Sequence, residues 1–209
     1  LERGTKVVLM DRHIYDISVP YVTSDNISAS YKLTKLLIEK GHKKIGFVRT
    51  SRISTIEERL SGFRQACFEN GIADESVFDI YIPTIQEDFQ DEIDSFSIRL
   101  EEKLRQHPVT ALFTANDQIC KAVTKTLDRM NLSVPKDISL VTYDTDNIQQ
   151  RYPYKITGVK QNFYGMGQLA GKLLIDRILM GESDNNLELG HIFPADIVYG
   201  SSVAPPNHE

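Results

Sequence analysis

The sequence predicts an α/β fold built of parallel sheets with helices on both faces. Short apolar runs alternate along the chain with longer stretches whose apolar residues recur at helical spacing. Polar residues gather where the apolar runs stop, and in parallel sheets binding groups lie just beyond the carboxyl ends of strands. No repeat, low-complexity stretch or long flexible linker divides the 209 residues, so two domains would have to share several crossings.

The elements follow in order. Lys6–Met10 is a strand ending at Asp11-Arg12, and Tyr21–Thr23 a short extended piece before Ser24-Asp25-Asn26. Leu33, Leu36 and Leu37 mark a helix over 29–39, which Gly41 ends. Lys44–Val48 is a strand, and Arg49–Thr55 a polar loop. A helix over 57–70 carries Leu60, Phe63, Cys67 and Phe68 on its apolar face. Phe78–Ile82 is a strand, stopped by Pro83. Ile93, Phe96, Leu100 and Leu104 define a helix over 91–105, and His107-Pro108 ends it. Ala111–Ala115 is a buried strand that hands over at Asn116-Asp117-Gln118 to a helix over 119–130. Ile138–Tyr143 is a strand stopping at Asp144, and Ile156–Lys160 another. A helix spans 165–180, and Ile192–Tyr199 is a last extended segment.

Composition limits the function classes. The chain is 41% hydrophobic and 25% charged, ordinary for a globular protein. No apolar run approaches the roughly 18 residues of a membrane-spanning helix. A net charge of -5 disfavours a nucleic-acid surface, and Lys43-Lys44 reads as a solvated turn. Cys67 and Cys120 have neither zinc nor redox spacing and fall in amphipathic helices, which makes them buried free thiols. The low cysteine use fits the cytoplasm.

Enzymatic motifs are missing. No HExxH, GxSxG or Walker A pattern occurs. The five histidines show no metal-ligand spacing, so neither metal nor cofactor is expected. Asp144 and Asp146 lack telling partners for a phosphoacceptor site. The glycines from Gly165 to Gly171 imitate a dinucleotide fingerprint but do not directly follow a strand, which favours close helix packing. What remains is the set of polar strand ends: Ser24-Asp25-Asn26, Arg49–Thr55, Asn116-Asp117 and Asp144-Thr145-Asp146. Each could be a helix cap or a turn. Together along one sheet edge they could line a pocket for polyol hydroxyls, which both donate and accept.

Five stretches resemble the effector-binding region of the LacI/GalR repressor family. "EKGHKKIGFV" resembles its helix end, Gly-His turn and strand, and "RLSGFRQACFENGI" its Arg-x-x-Gly-Phe helix. "ALFTANDQICKAVTKTLDRMNLSVPKDISLVTYDTD" is similar to its Asn-Asp, Val-Pro-x-Asp and Tyr-Asp series. "ITGVKQNFYGMGQLAGKLLIDRI" resembles the crossover and following helix, and "SSVAPP" the common ending.

The resemblance implies a periplasmic-binding-protein-like fold of type I: two Rossmann-like lobes of parallel sheet joined by three crossovers. Residues 1–49 and 161–188 would form an N-terminal lobe entered partway, about 60 residues short of the usual domain size. Residues 50–160 and 189–209 would form the C-terminal lobe. It further implies a sugar effector in the cleft between lobes, a homodimer, and operator DNA bound only through a headpiece outside this chain. That headpiece would be a helix-turn-helix or, as in arabinose repressors, a GntR-like winged helix. No membrane partner is implied, and the alternative is a periplasmic sugar-binding protein.

Carried over residue by residue, Arg59 would fork onto vicinal hydroxyls, and Asn116 and Asp144 would bind hydroxyls. Asp117 would cap its helix, and Gln161 would sit at the hinge. Phe89 or Phe163 would pack on the sugar's apolar face. Asp25, Asn26 and Ser28 would reach in from the other lobe.

Overall fold

The computed structural model describes residues 5–14, 17–83, 93–148, 153–180 and 189–207. Its strands form two sheets. The smaller comprises β1 (Leu9–Met10), β2 (Tyr21–Ser24) and β8 (Gly190–Phe193), all parallel, in the order β1-β2-β8. The larger has six strands in the order β4-β3-β5-β6-β7-β9: β3 (Ile45–Arg49), β4 (Val77–Tyr81), β5 (Ala111–Thr114), β6 (Ser139–Tyr143), β7 (Thr157–Lys160) and β9 (Asp196–Val198). Five of these are parallel, and β9 pairs antiparallel to β7. The helices are α1 (Asn26–Glu39), α2 (Ser54–Glu69), α3 (Ile93–Gln106), α4 (Asp117–Arg129) and α5 (Phe163–Met180).

The central strands β3, β5 and β6 of the larger sheet are buried on both faces, which accounts for their mainly apolar sequences. Phe47 and Phe113 are register partners, so both rings leave the sheet on the same side, where they meet Phe63 of α2. The three centroids are 5.1–6.3 Å apart in tilted and edge-on packings, the geometry aromatic quadrupoles favour. Thr114, one residue on, points to the other face and approaches Cys120 of α4. Burial pushes both the Cys67 and Cys120 thiols up to about 12, which leaves them protonated and inert, as the sequence predicts.

Helices α1 and α2 lie against each other because Gly62 has no side chain. A Cβ there would sit 2.2 Å from the Ile27 carbonyl oxygen. The Gly-His turn has its own physical reason. Gly41 adopts φ +99, open to glycine alone at low cost. His42, fully buried, then bridges Thr110 Oγ1 (2.9 Å), Ser139 Oγ (3.0 Å) and the Ala204 carbonyl (2.9 Å). It pins the "SSVAPP" segment to the end of the sheet, and burial lowers its pKa.

Sheet membership corrects the expected lobe boundaries. Residues 26–49 belong with the larger lobe. Strand β3 lies between β4 and β5, and Ala29, Leu33 and Leu37 of α1 are part of its core. Residues 190–193 belong with the smaller lobe, since β8 pairs with β2. The expected single segment 192–199 breaks at Pro194, which lacks a ladder N–H, and its halves join different sheets. The chain thus crosses three times, after Ser24, after Lys160 and after Phe193. A second correction concerns Phe68, expected on the apolar face of α2 but 80% exposed. The smaller lobe has its own core of Val22, Met166 and Leu173, where α5 packs on β2.

Candidate functional site

Because β3, β5, β6 and β7 run parallel, their carboxyl ends share one edge, and the crossings after Ser24 and Lys160 lie at that edge too. Helical phase places Arg59 on the inner side of α2, where it is 3% exposed. Its Nε donates to Asn26 Oδ1 (2.9 Å) and its NH1 to the Ala115 carbonyl just past β5 (2.9 Å). The same NH1 is 3.5 Å from Asp144 Oδ2. The guanidinium carbon sits 3.7 Å from the Tyr143 ring centroid, a cation–π stack.

Asp144 follows β6 with φ +67, a left-handed backbone that aspartate tolerates better than most residues. Gln161 Nε2 donates to its Oδ1, and Gln161 Oε1 accepts from Ser24 Oγ (2.5 Å). Asn26 closes the circuit, donating to Glu58 Oε2 (2.8 Å) and to the Ser24 carbonyl (3.2 Å). A ring of hydrogen bonds, closed by the Arg59–Asp144 ion pair, therefore joins both crossings. Burial raises the Asp144 pKa, and the Arg59 charge and the Gln161 hydrogen bond partly offset this. Burial likewise raises that of Tyr143.

Four of the residues named from sequence thus come together: Arg59, Asn26, Asp144 and Gln161. Others take different places. Asn116 is the cap of α4, with Oδ1 accepting from the Ile119 N–H (2.9 Å). Asp117 is not the cap; it pairs with Lys121 (3.4 Å) and Asn147 (3.3 Å). The expected cap is therefore corrected from Asp117 to Asn116, since one residue of helical phase decides which side chain folds back on the first turn. Asn116→Ala should cost about 1 kcal/mol of stability in urea denaturation, because it frees a first-turn N–H. Asp25 and Ser28 form another cap, Asp25 Oδ1 accepting from the Ser28 N–H (3.0 Å). Phe163 opens α5 and is 43% exposed. Phe89 lies outside the described residues.

Arg49 turns away from the site. It binds Asp79 through two nitrogens (2.7 and 2.8 Å) and Glu57 (2.6 Å), and the Asp79 bond raises its pKa. Ser24, one of the polar strand ends, joins this cluster, and Glu58 and Tyr143 lie in it although sequence reasoning did not single them out. Tyr143 was legible as the neighbour of Asp144 in the Tyr-Asp pair. Glu58 was not, because a charge beside Arg59 on a helix reads as a solvated face. Among the described residues no cluster could hold a metal ion, and no helix is long and apolar enough to cross a membrane.

Comparison with known proteins agrees with this architecture. A family model described as a periplasmic binding protein-like domain matches residues 34–203. The HTH-type transcriptional regulator RegA of Clostridium saccharobutylicum is 32% identical over 193 residues, covering 91% of this chain and 56% of RegA. The HTH-type transcriptional repressor PurR of Aliivibrio salmonicida is 29% identical over 182 residues, covering 85% and 53%. The chain spans about half the length of the curated relatives it matches. Among solved structures, a LacI family transcriptional regulator from Enterococcus faecium with bound ribose has a TM-score of 0.82 at 23% identity, covering 99% of this chain and 73% of that one. A complex of the transcriptional regulator CelR with cellobiose has a TM-score of 0.78 at 26% identity, covering 93% and 58%. With the two-lobed fold and the three crossings, these matches show that the chain belongs to the periplasmic binding protein-like domain family and is an effector-binding domain of the LacI/GalR type.

Proposed function

We propose that the chain is the sensing domain of a transcriptional repressor and binds a small uncharged sugar between its lobes. The observation that supports this best is the convergence of Arg59, Asn26, Asp144 and Gln161 at the edge where both crossings lie. The set mixes donors and acceptors, as hydroxyls require. Its charges are one guanidinium against the Asp144 and Glu58 carboxylates, an excess of negative charge that repels phosphorylated ligands. The ribose and cellobiose held by regulators of the same fold are uncharged in the same way.

Binding rather than turnover is the output. A ligand touching both lobes favours the arrangement for which it has the higher affinity. In a homodimer on paired half-sites, the resulting lobe movement would change operator affinity through the headpiece. A repressor of this kind works in the cytoplasm. Regulator relatives favour this reading over a periplasmic sugar-binding protein.

The test is thermal unfolding in the presence of ribose, arabinose, xylose, glucose, cellobiose and glucose 6-phosphate. One neutral sugar should raise the melting temperature, since a ligand at a hundred times its Kd adds about 2.7 kcal/mol. A response to the phosphate ester alone would refute the proposed ligand class.

A further inference from the structure

We propose that His13 is a latch between the lobes, a positioning residue that holds α2 against the smaller lobe and is linked through Glu58 to the site. This rests on the sensing function proposed above and adds a named closing contact to it.

His13 follows β1 and is 9% exposed, although it lies in a connecting segment. Its ring stacks on Tyr21 of β2, with centroids 4.6 Å apart and planes 19° from parallel. Stacking fixes the imidazole as part of the smaller lobe. From there it reaches the larger lobe twice. Its backbone N–H donates to Ser54 Oγ in the first turn of α2 (3.2 Å). Its Nε2 is 3.5 Å from Glu58 Oε1, one turn further along the same helix. Neither contact passes through a covalent crossing, so both must break when the lobes separate.

Glu58 makes the latch more than a spot weld. Its other oxygen, Oε2, accepts from Asn26 Nδ2, and Asn26 Oδ1 accepts from Arg59 Nε. Separating His13 from Glu58 leaves that carboxylate with one partner fewer and free to change rotamer. Asn26, and with it the guanidinium, then loses a fixed reference. The closed arrangement and the preorganised Arg59 are therefore stabilised together, and the open arrangement loosens both.

The experiment measures lobe separation in the full chain without any sugar. Spin labels on cysteines introduced at the exposed Lys103 of α3 and Lys172 of α5 report the distance, while the buried native thiols stay unlabelled. His13→Ala should shift the distribution toward longer separations. His13→Gln, which keeps a planar donor, should restore the short one. Glu58→Gln, which keeps the hydrogen bond from Asn26 but loses the charge, should broaden it; this second variant serves if His13→Ala fails to fold. Identical distributions for wild type and both disruptive variants would overturn the latch. A shift in a protein whose melting temperature answers to no sugar would leave the latch standing and overturn the sensing function instead.

Discussion

Arg59→Met should abolish measurable binding of the effector and destabilise the unliganded protein by about 3–5 kcal/mol. A buried charged partner removed from its pair leaves the other charge uncompensated, which accounts for the magnitude. Here the abandoned group is Asp144, whose side chain is 18% exposed and whose pKa burial already raises despite Arg59. The sign of the pH dependence follows. A carboxylate whose folded pKa lies above its unfolded value contributes stability that is fully present below the unfolded pKa and is lost as pH rises through the folded one. Without Arg59 the Asp144 pKa rises further. The stability deficit of Arg59→Met should therefore be largest at neutral pH and shrink as pH falls toward 3.8, the ordinary aspartate value. Urea denaturation of both proteins across that range measures it, and a deficit independent of pH would contradict the coupling. Arg59→Lys should recover part of the stability but little of the affinity, since an ammonium cannot fork onto two hydroxyls.

Gly62→Ala should destabilise the larger lobe by about 3 kcal/mol. The added Cβ would be 2.2 Å from the Ile27 carbonyl oxygen and 2.9 Å from its carbon, both backbone atoms that no rotamer change can move. The helices would have to part by about 1 Å. Overpacking of this kind costs about 3 kcal/mol at its upper end. The buried α1–α2 face includes Leu33, Leu37, Leu60 and Phe63, so the separation would propagate into the core. A lowered urea midpoint with an unchanged m-value is the expected signature. A variant within 1 kcal/mol of wild type would mean that α1 can slide away without loss. Gly71 is the control: a Cβ there meets no atom within 4 Å, and only its φ of +70 disfavours substitution.

The two predictions rest on residues that were legible to different degrees. Gly62 and Arg59 belong to one short motif on α2, and the role of Arg59 was legible only through the family resemblance of that motif. Gln161 was likewise legible only through the resemblance. The sheet to which a strand belongs was not legible. Ile45–Arg49 is apolar enough for either lobe, and only its long-range register with Val77–Tyr81 and Ala111–Thr114 decides. Asn116 and Asp117 are both good caps, and no local signal separates them. The Ile192–Tyr199 error had a visible remedy, because Pro194 marks the break. Glu58 entered the site through a contact with a residue 32 positions away, beyond what any local pattern encodes.

The backbone at Asp144 has an evolutionary consequence. Its φ of +67 belongs to a region that glycine, asparagine and aspartate enter readily and that other side chains occupy only at a cost of roughly 1 kcal/mol or more. Viable replacements at this position are therefore few, and only asparagine keeps both the shape and an oxygen acceptor. Divergence toward a new effector has a narrow first step here: the exchange of one oxygen for an amide nitrogen, which removes the carboxylate's negative charge while the chain keeps its path. Homologues that recognise anionic ligands should carry that exchange more often than any other substitution at this site, and a lineage fixed on glycine would have surrendered the contact altogether.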